Sequence, residues 1–271
     1  MSAVSTAGGR PYASTIGFGN VLRSELTKLR TVRATYWTTL LAVLGTVGLG
    51  ALICARTAYN INRGDQGVIG FDPTLTSLNG IYLAQIAAGA LGVLTISSEY
   101  GTGMIRATLG AVPQRRALLA AKGLVFAIAT LIAGEILSFA AFTVGQGLLS
   151  GAHAGAALGQ PGVLRATIGG GLYLTAVGLL GFGLGALIRH TAGALSAFFG
   201  ILFALRGLVD ILPSGWQGDV SKYMPPNAGS QIITVVRGHD TLPPWAGLGV
   251  LCLYAVAAMG AATALIGHRD A

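Results

Sequence analysis

Glu135 stands among Leu131, Ile132, Ile136, Leu137 and Phe139, a carboxyl group in the middle of an apolar run. A carboxylate inside a membrane is a functional-site candidate by default, able to take up a proton or a cation. A charge at the bilayer centre costs about 3 kcal/mol, taking Glu to resemble Asp, and each Leu, Ile, Phe or Val returns roughly 0.3–0.6 kcal/mol. The run is apolar enough to carry it. Two readings stand side by side: a polar spot on a translocation path or dimer seam, or a protonated or internally bonded carboxyl used for helix packing.

Other chemistry finds little support. No G-x-x-x-x-G-K-[ST] element is present, so the chain does not hold ATP by the P-loop route, and no glycine pair completes G-x-G-x-x-G. His153, His190, His239 and His268 are dispersed, with no i,i+4 pair and no neighbouring cysteine or carboxylate cluster for a metal. No serine sits in a G-x-S-x-G elbow. Arg206 and Asp210 are four apart and are expected to pair with each other. The chain is read as a non-enzyme that needs no cofactor.

The most polar stretch between apolar blocks is Ser97 to Lys122, SSEYGTGMIRATLGAVPQRRALLAAK. It carries Glu99, Arg106, Arg115, Arg116 and Lys122. A basic elbow of this kind stays on the cytoplasmic side. Within it, Gly103 to Val112 is long enough for about two helical turns with Ile105, Leu109 and Val112 on one side, and Pro113 ends them. A soluble partner gripping this short helix would push directly on the spans either side. Alternatively, the basic residues serve only to hold the loop inside.

The elements that must position these residues follow from composition. The chain has 271 residues, 53% hydrophobic and only 10% charged, against roughly 25% charged residues in ordinary soluble domains. Its 42 glycines suit membrane helices, whose close packing uses small residues. The charge of +8 is scattered rather than striped, which argues against nucleic acid. The fold expected is an all-α membrane protein with six spans near residues 36–54, 78–96, 120–149, 163–188, 192–212 and 245–267. Residues 1–20 are expected as a disordered cytoplasmic tail. Residues 21–35 form an amphipathic helix, with Leu22, Leu26, Leu29 and Val32 on one face, lying in the headgroup region.

Placing both termini in the cytoplasm of a multi-pass cell-membrane protein puts 11 of the 17 basic residues inside. Arg189, His190 and Thr191 then join spans four and five as a tight hairpin. Residues 56–77 read as a polar, broken external loop, and 213–244 as short broken helices on the outer membrane surface. Gly169–Gly171 and the Gly178, Gly181, Gly183, Gly185 series read as sites of tight helix contact. Cys54 and Cys252 fall near the same outer face; a disulfide is conceivable, but separate thiols fit better.

Three segments, SELTKLRTVRATYW before the first span, SSEYGTGMIRATL followed by VPQRRALLAAK after the second, and KYMPPNAGSQI in the last external stretch, together resemble the permease subunit of ABC-2 type transporters. The likeness is to the short actinobacterial-style permeases and covers residues 20 to 270. The resemblance implies a type V exporter-like domain over 21–271, with a coupling loop at 97–119. It also implies pairing with a second permease, identical or sister, and with two copies of a separate ABC ATPase, embedded in membrane lipid. By the same resemblance Glu99, Gly101, Thr102, Arg106, Pro113, Arg115 and Arg116 become the ATPase-coupling residues, and Glu25, Lys28 and Arg30 a second contact. The external stretch departs from permeases that act through a large extracytoplasmic domain.

Overall fold

The computed structural model describes residues 33–64, 71–101, 115–209, 211, 213–238 and 240–269; for 33–42, 99–101, 115–117, 206, 208, 214–215 and 266–269 it describes the backbone alone. Every regular element among these residues is helical, as the apolar, glycine-rich runs require. In chain order they are α1 (Arg33–Asn62), α2 (Pro73–Leu78), α3 (Ile81–Gly101), α4 (Arg115–Ser150), α5 (Val163–Ile188) and α6 (Thr191–Phe199). A π-turn (Gly200–Ala204) leads into α7 (Leu205–Val209), followed by α8 (Ser214–Ser221), α9 (Pro225–Ser230), a 3₁₀ turn (Gln231–Ile233) and α10 (Pro244–Arg269).

Among the described residues, four helices are long and apolar enough to cross a membrane: Ile81–Ser98, Leu118–Ser150, Val163–Ile188 and Pro244–Leu265. The chain is a membrane protein by this measure. The fifth expected crossing is not a plain α-helix, because the π-turn interrupts it and its apolar stretch, Thr191–Ala204, is shorter. The first expected crossing lies within α1, a 30-residue helix that runs on through Arg56 to Asn62, so only part of the expected 56–77 loop is irregular. Residues 33–35 belong to α1 rather than to a separate surface helix, and 21–32 lie outside the described residues.

Successive long helices alternate in direction along the chain. In α3 and α5, Gly89 faces Gly181 and Val93 faces Gly185, so the two run parallel. Ser138 of α4 bonds to Thr167 of α5 while Phe126 stacks on Phe182, so α4 runs against α5. Thr191 of α6 meets Ser97 while Phe198 meets Gly89, so α6 runs against α3 and forms the expected hairpin with α5. α1 runs against α3, with Gly45 beside Leu83 and Thr46 beside Gly80, whereas α10 runs with α5, with Ala258 beside Gly183.

The bundle is organised around α5. Of its apolar window 72% is buried, against 22% for α10 and 33% for α4, so α5 is the axis and the others are its shell. Its glycines make that possible. A Cβ on Gly181 would collide with the carbonyl oxygen of Gly89, and one on Gly92 with that of Gly178, so α3 and α5 touch backbone to backbone. Van der Waals contact of this kind replaces the hydrophobic drive that lipid removes. The core of large fully buried side chains includes Tyr173, Phe182, Phe198, Leu78, Ile81, Ile232 and Ile233. The last two come from the 213–244 segment. Its middle is inserted among the helix ends, where Ala228, Ile232 and Ile233 are fully buried.

Candidate functional site

Alternating directions gather one set of helix ends. The start of α1 (Arg33), the end of α3 (Gly101), the start of α4 (Arg115, Arg116), the end of α5 (Ile188) and the end of α10 (Arg269) meet at a single end of the bundle. The ionisable residues whose backbone lies at that end are Arg33, Arg115, Arg116, Lys122, Arg189 and Arg269 with Glu99. The far end mixes Arg56, Arg63, Arg165, Lys222 and Arg237 with Asp72, Asp219 and Asp240. The first is the basic end.

Local structure narrows the elbow read from the sequence. Ser97 to Gly101, with Glu99, is the last turn of α3, and Arg115 to Lys122 opens α4. The polar stretch expected as a loop over 97–119 is thus partly helix, and Lys122 is buried at 2% exposure instead of standing in water. Helix continues because Arg, Ala, Leu and Lys after Pro113 all favour it. Thr102, Arg106 and Pro113, and Glu25, Lys28 and Arg30, lie outside the described residues, as does Asp210, the expected partner of Arg206. The fold brings Glu99 and Gly101 to the same end as Arg115 and Arg116. Beside them Arg189 closes α5 in the left-handed conformation (φ 59°). His190 Nδ1 then caps α6 by accepting from Gly193 N–H at 3.2 Å, and Thr191 bonds Ser97 Oγ at 3.0 Å, tying the α5–α6 turn to the end of α3.

Glu135 lies midway along α4, half-buried, with its carboxyl laid on α5 at Gly171. Only glycine leaves room there, since a Cβ at 171 would fall 2.5 Å from Oε1. Oε2 is buried with no hydrogen-bond partner among the described residues. Ile132 and Ile136 on either side are 57% and 64% exposed, so Glu135 sits on the seam between the packed face of α4 and its outer face. An unpaired buried oxygen is the kind of group that a proton, an ion or a neighbouring donor completes.

The polar groups that reading the sequence missed are those that lock the far end. Asp72 Oδ1 accepts from Thr74 and Leu75 N–H at 2.9 and 3.0 Å, capping α2, while Oδ2 accepts from Val235 and Val236 N–H at 2.6 and 2.9 Å. Arg165 donates to the carbonyls of Ile232 and Thr234, both at 2.8 Å. Gln146 donates to Pro73 O and Ser77 Oγ and accepts from Ala156 N–H. Midway down, Tyr173 donates to Gln85 between α5 and α3, with both buried. The signal was present: Gln85, Gln146 and Arg165 interrupt apolar runs, and an apolar setting obliges such groups to find partners.

Beyond the bundle, a polar hollow of about 300 Å³ opens among Ser221, Lys222, Asn227, Gln231 and Asp240. Asn227 Nδ2 is committed to Ser221 O and Oγ, at 3.1 and 2.9 Å. Lys222 bonds Asp219 at 2.6 Å, which holds the Asp219 carboxyl below its usual range and raises the Lys222 ammonium. No group of three or more His, Cys, Asp or Glu among the described residues is placed to hold a metal. Cys54 is buried and Cys252 exposed, and both are free thiols. A scan of the chain against protein-family models gives no match, and a search of curated proteins gives none either.

Proposed function

We propose that this chain is the permease subunit of an ATP-binding cassette exporter of the ABC-2 type. It would work as one half of a permease pair and be driven by a separate ATPase that grips the connection between α3 and α4. On this reading α1 and the α6–π–α7 path complete six crossings, and the basic end faces the cytoplasm with both termini, by the bias of Lys and Arg toward that side. The observation that carries the reading is the convergence of Glu99, Gly101, Arg115 and Arg116 on the basic end, at the two helix ends that flank the basic connection. A push delivered there enters two crossings at once, and binding energy spent on one arrangement of the pair shifts its population.

The test is reversal of charge. Arg115→Glu with Arg116→Glu is expected to abolish stimulation of the co-expressed ATPase in proteoliposomes while insertion and yield stay unchanged. Stimulation at the level of the unaltered chain would refute the contact.

A second reading has one observation behind it, the unpartnered Oε2 of Glu135. An autonomous channel or secondary transporter using that carboxyl would move its solute with no nucleotide present and would lose activity in Glu135→Gln. Nucleotide dependence of transport separates the two.

A further inference from the structure

Register against α5 puts the long helices on one scale of height. Gly89 and Val93 of α3 face Gly181 and Gly185, so Ile81 stands level with Tyr173 and Ser98 level with the turn after α5. Ala258 of α10 faces Gly183, which sets Pro244 level with Gly169 and Leu265 level with that same turn. The apolar windows of α3 and α10, 18 and 22 residues, therefore begin and end together. At 1.5 Å per residue they are about 27 and 33 Å long, either side of the roughly 30 Å of a hydrocarbon core. α4 is different. Its window, Leu118–Ser150, has 33 residues, about 50 Å, and confining that to the core would need a tilt of about 50°, beyond the 0–40° that spans adopt. Ser138 against Thr167 and Phe126 against Phe182 keep α4 along α5, so part of it must leave the hydrocarbon. Gly134 faces Gly171 and, by the same register, Leu118 is level with Leu187, so the part that leaves is the stretch after Glu135.

We propose that the hydrocarbon ends at the level of Gly171 and that α8 lies there in the headgroup region of the leaflet, with the ends of α1 and α4 and the whole of α2 beyond it in water. Aromatic side chains mark the level. Trp216, Val220 and Tyr223 recur at helical spacing as one exposed stripe along α8, whereas Gln217, Ser221 and Lys222 lie off it. Asn227 ties the end of α8 at Ser221 to α9, and the Ala228 carbonyl meets Gly247, so α8 is held level with the first turn of α10. Trp245 in that turn and Tyr82 at the start of α3 are exposed as well. Four of the six exposed Trp and Tyr side chains among the described residues thus gather at one level, as amphipathic rings do at a membrane interface. Charge agrees with them. Between this level and Lys122, the crossing stretches of α3, α4, α5 and α10 carry no Asp, Glu, Lys or Arg, and beyond it come Arg56, Arg63, Asp72, Gln146 and Arg165. Glu135, laid on Gly171, then stands at the boundary and not at the centre of the bilayer. Leu148 stands about 20 Å past that boundary, farther than the roughly 5–7 Å of a headgroup layer. The inference rests on the chain being a membrane protein and not on the exporter reading.

The experiment uses the full-length chain in phosphatidylcholine nanodiscs. With Trp37→Phe and Trp245→Phe, the remaining Trp216 is quenched by lipids brominated either next to the headgroup or near the chain end, and Trp37→Phe with Trp216→Phe reads Trp245 in the same way. Both should be quenched several-fold more by the bromine next to the headgroup. Single cysteines in a Cys252→Ser background then locate the boundary on α4 through the rate of reaction with a charged maleimide, the background alone supplying the blank. Ile128, Val144 and Leu148 are all exposed on the protein, at 46, 42 and 39%. Val144→Cys and Leu148→Cys should react about tenfold faster than Ile128→Cys, because the thiolate is the reacting form and apolar surroundings suppress it. A monodisperse elution profile shows each variant folded. Trp216 quenched best by the chain-end bromine, Trp216 quenched by neither lipid, or Ile128→Cys and Leu148→Cys reacting alike overturns the proposal.

Discussion

Replacing Gly185 by alanine tests the claim that α3 and α5 hold the bundle together by backbone contact. The added Cβ would stand 2.8 Å from the carbonyl oxygen of Val93 and 2.7 Å from Cγ2 of Ile96, where ordinary contact begins at 3.4 Å. The shortfall is about 0.6–0.7 Å. The carbonyl belongs to a helix and cannot swing aside, so α3 and α5 must separate by about that distance. A gap of 0.5–1 Å forfeits a quarter to a half of the dispersion attraction of each contact it opens. The interface includes the Gly89–Gly181 and Gly92–Gly178 approaches, so the loss is shared along it, and overpacking of this kind costs about 1–3 kcal/mol.

Alanine also favours helix over glycine by about 1 kcal/mol, which would mask part of the cost. Gly260→Ala on α10 supplies the correction, because a Cβ there meets nothing within 4 Å. The measurement is thermal unfolding in detergent, followed by reaction of the buried Cys54 thiol with a fluorogenic dye in a Cys252→Ser background that removes the exposed thiol. Gly185→Ala should unfold lower than Gly260→Ala by the equivalent of about 1–3 kcal/mol, at about 2–4 °C per kcal/mol for a chain near this size. Equal midpoints for the two variants would refute the reasoning, since the same chemical change would then be indifferent to the backbone it faces.

Tyr173→Phe removes the donor to Gln85 and leaves a buried amide oxygen unpaired, so it should cost about 1–3 kcal/mol in the same assay, and Tyr173→Phe with Gln85→Leu should recover part of that loss. Asp219 should titrate below an ordinary aspartate in carboxyl NMR of the selectively labelled protein, and Lys222→Met should return it to the usual range. Its folded pKa is depressed, so whatever it contributes is present above the unfolded value and is lost as pH falls through the folded one. Both side chains belong to a solvent-exposed pair, so raised salt should weaken the shift.

Much of the fold was legible because apolar run length, glycine spacing and charge asymmetry each report a single physical demand. The run Val163 to Ile188 is the helix read from the sequence, and Gly181 and Gly185 do mark the close approach that their four-residue spacing announced. The boundaries at the elbow were misplaced because polarity was taken to mean loop. Arg115, Arg116 and Lys122 are polar and yet good helix formers, so α4 begins earlier than its apolar content does. The 213–244 segment was legible only in part. Prolines and glycines announced the broken helices that are present, but not the partners far away in the chain, Gly169 and Arg165 against Ile232 and Asp72 against Val235 and Val236. No local pattern carries that information. The sparse contact between α3 and α4 was invisible for a similar reason, since the two fail to meet only because of how each packs on α5.

That failure to meet shapes what the bundle can do. α3 meets α5 backbone to backbone, α4 packs on α5 through Gly134, Gly171 and the Ser138–Thr167 hydrogen bond, and α10 packs on α5 in the same direction, so all three are anchored to one axis. α5 and α1 each pack on both α3 and α4, which themselves meet little. The connection that a partner ATPase would grip, on the reading proposed above, joins these two helices. Force applied there would therefore enter the bundle through α5 and α1 as well as along α3 and α4.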